Sequence, residues 1–162
     1  MRILAAATVL AVGMTAANGA ESTKEFTHEG WVGEAIFDGA KFRQCHMWLP
    51  AINNHDLGLA LEPSGELRLG IRSHKLDATT ALFFATELRM QIDDGPVLLK
   101  TFKAVTTHLV STSLKDTDWE KRLPAAKLLR INTGSRTQLF HLNGIKEALG
   151  QLRKCVAKHR TA

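Results

Sequence analysis

The strongest constraint on the fold is a series of short apolar runs with a period of two, each followed by residues that favour turns. Leu57, Leu59 and Leu61 alternate with other residues, Pro63-Ser64-Gly65 follows, and Leu67–Ile71 alternates again with arginine and glycine. Alternation with a period of two predicts strands with one buried face, and Pro, Ser and Gly favour the turns between strands. Further turn signals stand between paired apolar runs at Asp38-Gly39, Asp93-Asp94-Gly95-Pro96 and Thr133-Gly134-Ser135. The pattern therefore predicts antiparallel strands joined by short connections.

The predicted fold is mainly β, of the α+β class: an antiparallel β-sandwich or meander of about eight or nine strands with a C-terminal α-helix packed on it. Residues 21–29 are polar and predict a loose lead-in, whereas Val97–Val105 predicts one returning strand. Residues 75–85 fit either a helical turn or a bent strand. Thr117-Asp118-Trp119-Glu120 matches a capping box and predicts a short helix, which Pro124 limits.

The C-terminal segment has a helical period. Ile145, Leu149, Leu152 and Val156 recur at spacings of four, three and four residues. This spacing places them on one face and predicts a helix over residues 143–159 that packs on the sheet. Cys155 borders the same apolar stripe, so we expect it to face the sheet.

The first twenty residues have the layout of a secretion signal. Arg2 precedes the apolar run Ile3–Val12, and small residues follow up to Ala20. We expect residues 1–20 to be a cleaved signal peptide, residues 21–162 to form a single β-rich domain, and the protein to be periplasmic or secreted. The alternative is an uncleaved membrane anchor, for which the run is short against the roughly 20 apolar residues that a spanning helix needs.

The two cysteines, Cys45 and Cys155, are predicted to form a disulfide, because exported proteins fold in oxidising compartments. A bridge that closes a loop of about 110 residues stabilises the fold by roughly 4–5 kcal/mol in the chain-entropy model. Two buried free thiols are the alternative.

The charge balance is mildly basic. Without residues 1–20, which contain Arg2 and no acid, the chain has 20 basic and 16 acidic side chains. This small excess favours anionic surfaces slightly, but it is weak evidence for nucleic-acid binding, so we do not expect nucleic acid as a partner.

No catalytic, metal or cofactor motif stands out. The seven histidines form no His-x-His or His-x-x-x-His pair, and no Gly-x-Ser-x-Gly sequence occurs. His46 and His55 could approach each other near Asp56, but scattered loop or surface histidines are the simpler interpretation. Asp93-Asp94 could bind a hard cation, although a hairpin turn explains both acids. We therefore expect no catalytic residue, no metal and no cofactor.

Two surfaces are hypothetical binding sites. The first is the loop from Trp48 to His55, where an exposed tryptophan would anchor a partner; a core tryptophan is the alternative. The second is a basic face of the C-terminal helix, which could contact an anionic envelope surface or an acidic partner, although it could also simply be solvated. Its predicted contact residues are Lys146, Arg153, Lys154 and Lys158.

The chain ends carry a family resemblance. Phe140-x-Leu142-x-Gly144, followed by Ala148-Leu149 and Leu152, resembles the closing strand and helix of small exported proteobacterial proteins, including the invasion-associated locus B family. Trp31 in the first strand and Cys45 after it also resemble that group. The resemblance implies a β-sandwich-like, non-enzymatic periplasmic or surface protein linked to host contact or stress tolerance. It transfers no functional residue to this chain.

The predicted function is that of an exported, non-catalytic binding or accessory protein of the cell envelope. Its expected partner is another envelope protein or an anionic envelope surface. One alternative is a periplasmic enzyme inhibitor or immunity protein, since such proteins are also small, exported and disulfide-bonded. Another is a hydrolase with an unfamiliar site, which would require a deep pocket that joins several histidine and aspartate side chains.

Overall fold

A computed structural model describes residues 21–50, 55–74, 87–106, 108–115, 117–132 and 136–160. The predicted signal peptide, the loop 51–54, the segment 75–85 and the turn 133–135 lie outside these ranges. The described helices are α1 (Trp119–Arg122), which continues into a 3-10 turn (Leu123–Ala125), and α2 (Ile145–Arg160). The described strands are β1 (Glu21–His28), β2 (Trp31–Asp38), β3 (Lys41–Leu49), β4 (His55–Leu61), β5 (Leu67–Ser73), β6 (Glu87–Ile92), β7 (Leu98–Thr101), β8 (Lys103–Thr106), β9 (Leu109–Ser113), β10 (Leu128–Asn132) and β11 (Thr137–His141).

The strands form two antiparallel sheets. The larger sheet has seven strands in the order β1-β2-β3-β4-β5-β9-β8, and the smaller sheet has four in the order β11-β10-β6-β7. Buried side chains of both sheets and of α2 form one hydrophobic cluster. The predicted α+β class, with antiparallel strands and a closing helix, is confirmed.

The described strands number eleven, rather than eight or nine, and one of the additional strands is β1. Residues 21–29 were expected to be a loose lead-in, but Glu21–His28 pairs with β2 along its length. Most of its side chains are exposed, because β1 is the edge strand of the larger sheet. The strand is held by backbone hydrogen bonds, which any side chain permits. Its polar side chains therefore show no alternation that would have predicted a strand.

The other additional strand comes from a split at Phe102. The run Val97–Val105 was expected to form one strand, but β7 pairs with β6 in the smaller sheet and β8 pairs with β9 in the larger sheet. Phe102, between them, is fully buried. The chain passes from one sheet to the other at this side chain, which joins the two sheets in one core.

The capping box predicted at residues 117–120, and the short helix that Pro124 was expected to limit, are confirmed only in part. α1 forms, and the 3-10 turn that contains Pro124 follows it. The reciprocal capping box does not form: the Thr117 hydroxyl accepts a hydrogen bond from the Trp119 N–H at 3.3 Å, two residues on rather than three. The turn at Asp93 is confirmed as structural, since its carboxylate accepts hydrogen bonds from the N–H groups of Lys127 and Leu128.

The C-terminal helix is held to the larger sheet by its apolar stripe and by the disulfide. α2 begins at Ile145, two residues later than predicted, because Gly144 has a φ of +67°. Cys155 is bonded to Cys45 on β3, as predicted. The buried residues of α2 are Ile145, Ala148, Leu149, Leu152, Cys155 and Val156.

A bulge in β1 fixes the end of α2. The pairing of β1 with β2 shifts between Lys24 and Phe26, and Glu25 lies at this shift. Its carboxylate accepts hydrogen bonds from Lys158 at 2.8 Å and from His159 at 2.7 Å. The helix is therefore attached at its last turn by an ionic contact as well as by the nearby disulfide.

Candidate functional site

The outer face of the larger sheet is the face that points away from α2 and the smaller sheet. It has a depression near its centre. Side chains alternate between the two faces of a strand, so Cys45 and Met47 enter the core while His46 and Trp48 point outward. Trp48 lies opposite Gly58, and Gly58 lies opposite Gly70. The two glycines leave space where side chains would otherwise stand.

This space is a pocket of about 260 Å³, here called the outer-face pocket. One end is apolar and is formed by Trp48, Leu109 and Val105 around the two glycines. The volume is just below the roughly 300–1,000 Å³ of pockets for drug-sized ligands, so the pocket suits a small ligand or one side chain of a partner. Its other end is polar and is formed by Gln44, His46, Glu62 and Arg68.

Trp48 forms a wall of the pocket. Its indole lies directly over Gly58, where a Cβ atom would overlap the ring carbons, and only 7% of the residue is exposed. The guanidinium of Arg72 lies 4.4 Å from the ring centroid, within the range of a cation–π contact. The indole N–H has no hydrogen-bond partner among the described residues. Trp48 is thus a buried wall with an unused donor, and its role in binding stays a prediction.

A buried carboxylate holds Arg72 in place. Asp56 is 2% exposed and accepts hydrogen bonds from Arg72 at 3.0 and 2.7 Å and from His74 at 2.8 Å. Burial acts to raise the pKa of Asp56, but the hydrogen bonds and positive charges of His74 and Arg72 outweigh it, so the pKa lies below its usual value. Asp56 therefore stays ionised and fixes the guanidinium beside the indole.

His46 is paired with Glu34 at 2.8 Å. Burial lowers the pKa of His46, an effect that Glu34 opposes and Arg72 reinforces, and the net result is a lowered value. The imidazole is therefore neutral at neutral pH, so its contact with Glu34 is a hydrogen bond rather than an ion pair.

The charges at the polar end are unevenly matched. Arg68 donates hydrogen bonds to Glu66 at 2.9 Å and to the Ser111 hydroxyl at 3.3 Å. Glu62 accepts a hydrogen bond only from the Ser64 hydroxyl, at 3.5 Å, and forms no ion pair within the described part of the chain. Glu62 is thus the carboxylate of the pocket that no cation neutralises.

The lining does not assemble a nucleophile and a base. His46 on β3 and Ser111 on β9 are separated by two intervening strands, a distance of about 14 Å at the usual strand spacing. A hydrogen-bonded pair requires about 3 Å. Among the described lining residues, His46 and Ser111 therefore do not form a hydrogen-bonded nucleophile–base pair.

Metal-ligating side chains gather at one place among the described residues: Glu25, Cys155 and His159. The Cys155 sulfur is bonded to Cys45, and Glu25 already binds His159 and Lys158, so this group is a structural contact. His46 and His55 lie on opposite faces of the larger sheet, because His55 shares the inward face of β4 with Leu57.

The predicted contact residues do not form one surface. His55 is 4% exposed and faces inward, whereas Trp48 faces outward, and residues 51–54 between them lie outside the described ranges. The four cations of α2 are exposed, on the opposite side of the larger sheet from the pocket. Lys158 is bound to Glu25, but the other three make no ion pair with a described residue: Lys146, Arg153 and Lys154.

No protein-family model, curated protein or solved structure matches this chain. The resemblance to the invasion-associated locus B family therefore stays a prediction. Among the described residues, no helix has the length and apolar character needed to cross a membrane.

Proposed function

We propose that the chain is an exported, non-catalytic binding protein of the cell envelope, and that the outer-face pocket is its recognition site. The pocket itself is the observation that carries the proposal. It joins an apolar end to a polar end, and its walls are fixed by paired side chains before any ligand arrives. Preorganisation of this kind reduces the entropy lost on binding. The fixing pairs are Arg72–Asp56, His46–Glu34 and Arg68–Glu66.

Two further observations support the cellular setting. The leader-like residues 1–20 favour export, and the Cys45–Cys155 disulfide suits an oxidising compartment such as the periplasm or the cell exterior. The unpaired cations of α2 favour a second contact with an anionic envelope surface. The pocket and this basic face lie on opposite sides of the molecule, so the two contacts do not compete.

The test uses a substitution that fills the pocket without removing a buried side chain. A Cβ atom at Gly70 would lie 3.3 Å from Leu109 Cδ1 and 3.8 Å from the Trp48 ring, so a side chain fits with a small shift. Gly70→Val places two further methyl groups in the pocket. Thr101→Val, at an exposed position of the smaller sheet, is the matched control.

The measurement is capture of envelope components by the chain 21–162, with far-UV circular dichroism to show that each variant is folded. We expect the wild-type chain and Thr101→Val to retain the same component, and Gly70→Val to lose it. Retention of that component by folded Gly70→Val would place recognition outside the pocket and contradict the proposal.

A further inference from the structure

We infer that the outer-face pocket recognises an alkylammonium group, with the ammonium at Glu62 and the alkyl chain running over Ala60 towards Trp48. This inference rests on the proposed function, because it requires the pocket to be the recognition site. It adds the chemical class of the ligand. The alkylammonium could belong to a free amine or to a lysine side chain of a partner, which share this chemistry.

The first argument is the local charge. Three carboxylates lie at or next to the polar end: Glu34, Glu62 and Glu66. Arg68 is the cation that lines this end, and its charge is matched by Glu66 at 2.9 Å. His46 is neutral when it contacts Glu34, which leaves the negative charges in excess. A cation is therefore electrostatically attracted to this end of the pocket, although the whole chain has a formal net charge of +5.

The second argument is the state of Glu62 itself. Its carboxylate is half-buried and receives one long hydrogen bond, from Ser64 at 3.5 Å. A carboxylate can accept several hydrogen bonds, so Glu62 has unused acceptor capacity. An ammonium carries three donors and no acceptor, which complements this carboxylate.

The third argument is the distribution of apolar surface along the strands. Glu62 lies opposite Gln44 by extension of the β3–β4 register. Along β4 from Glu62, Ala60 lies about 7 Å away and Gly58 about 13 Å away at the usual strand rise, and both line the pocket. Val105, at the apolar end, is 57% exposed, so its side chain offers apolar surface to a ligand. A charged head at Glu62 with a flexible chain of several carbons reaches past Ala60 towards the apolar end.

An anionic ligand fits less well. The guanidinium of Arg68 already donates to Glu66 and to Ser111, and an anion beside it would also face Glu62. Like charges at such short range are mutually repulsive, whereas an ammonium would be attracted to the same group.

The experiment compares ligands of matched length and different charge. The chain 21–162 is titrated at pH 7 with n-hexylamine, 1-hexanol and hexanoate, and with a lysine whose α-amine and carboxyl group are both blocked as amides. Affinities come from calorimetry, and the location comes from amide shifts in nuclear magnetic resonance spectra. Glu62→Gln removes the charge at a partly exposed position, and Glu87→Gln, at an exposed position of β6, is the control.

We expect n-hexylamine to bind at least about tenfold more tightly than hexanoate, and Glu62→Gln to weaken the amine by about tenfold, since one nearby charge contributes on this scale. Glu87→Gln should leave its affinity unchanged. Binding of the blocked lysine as tightly as n-hexylamine would support a lysine of a partner as the source. Preference for the free amine would support a small molecule.

The contrary results separate the two proposals. Equal or tighter binding of hexanoate in the pocket, or equal affinity of the amine for Glu62→Gln, would overturn the alkylammonium assignment while the pocket remained a binding site. If no probe binds the pocket and Gly70→Val retains the wild-type envelope component, the proposed function itself fails.

Discussion

Gly58 determines how Trp48 can form the pocket wall. A Cβ atom at this position would overlap the indole, so Gly58→Ala forces the ring or the strand to move. Overpacking of this kind typically destabilises a protein by about 1–3 kcal/mol, and we expect Gly58→Ala to lose that much unfolding free energy in urea unfolding.

The control is Gly150→Ala on α2, where a Cβ atom meets no described neighbour within 4 Å. It should be neutral or stabilising by up to about 1 kcal/mol, because alanine favours helix. Equal stability of Gly58→Ala and the wild-type chain would contradict this packing.

Glu25 makes the attachment of α2 sensitive to acid. Burial acts to raise the pKa of Glu25, but the hydrogen bonds and charges of Lys158 and His159 outweigh it, and the pKa is lowered. A lowered folded-state pKa means that the contact stabilises the fold fully above about pH 4.5 and is lost as the pH falls further.

We therefore expect Glu25→Gln to lower the free energy of unfolding by about 1–2 kcal/mol at pH 7, as for the loss of charge-assisted hydrogen bonds. The difference from the wild-type chain should be smaller at pH 3, which lies below the ordinary pKa of a glutamate. Urea unfolding at both values measures it. A difference that is the same at both values would show that the ionised carboxylate is not the source of the stabilisation.

Individual residues differ in how far the sequence predicted them. The hairpin at Asp38-Gly39 and the Cys45–Cys155 bridge are confirmed, and both predictions came from local composition: turn preferences for the hairpin and the leader-like residues 1–20 for the bridge. The position of Glu62 in the lining of the outer-face pocket was not predicted. Its alternation pattern and the predicted β4–β5 hairpin place it on an outward face near Arg68, but the pocket around it also depends on which other strands lie beside that hairpin. Local sequence does not determine that order.

At the scale of elements, the disulfide and the apolar stripe together hold α2 against β3. The bridge joins residues 110 positions apart, with the two Cα atoms at 6.2 Å. In the chain-entropy model such a bridge contributes about 4–5 kcal/mol by restricting the unfolded chain.

We expect the variant with both Cys45→Ala and Cys155→Ala to keep its circular dichroism spectrum and to lose about 4–5 kcal/mol of unfolding free energy. The reduced wild-type chain should show a similar loss. Urea unfolding with and without reductant measures it. Equal midpoints for the oxidised and reduced chains would contradict this contribution.

The elements themselves were predicted where burial leaves a period in the sequence. α2 was found because Ile145, Leu149 and Leu152 follow a helical period, and the paired strands β4 and β5 were found by alternation. The exposed edge strand β1 has no buried face to mark it. The split at Phe102 was missed because both halves of the run have the same composition, although they belong to different sheets.

At the scale of the whole molecule, the cations of α2 and the outer-face pocket occupy opposite sides of the larger sheet. Each Lys or Arg near an anionic membrane contributes about 1 kcal/mol. Neutralising three of them should therefore weaken binding to phosphatidylglycerol-containing vesicles by about 100-fold at low salt, and should leave pocket ligands unaffected. The vesicle affinity is measured by sedimentation for the triple variant Lys146→Gln, Arg153→Gln and Lys154→Gln.

The control has the same charge change elsewhere: Lys115→Gln, Lys121→Gln and Lys127→Gln, all at exposed positions. If both triple variants lose vesicle affinity equally, total charge rather than the face of α2 governs the contact.

The central claim, that the outer-face pocket is the recognition site, is tested most directly by mapping contacts on the isotope-labelled chain 21–162. Nuclear magnetic resonance spectra would be recorded as small-molecule envelope extract is added. The account predicts the largest amide shifts at Gly58, Gly70 and Ser111, with little change at Arg89 and Arg130 on the outer face of the smaller sheet. Shifts that cluster on the smaller sheet, or that are equally large in Gly70→Val, would contradict it.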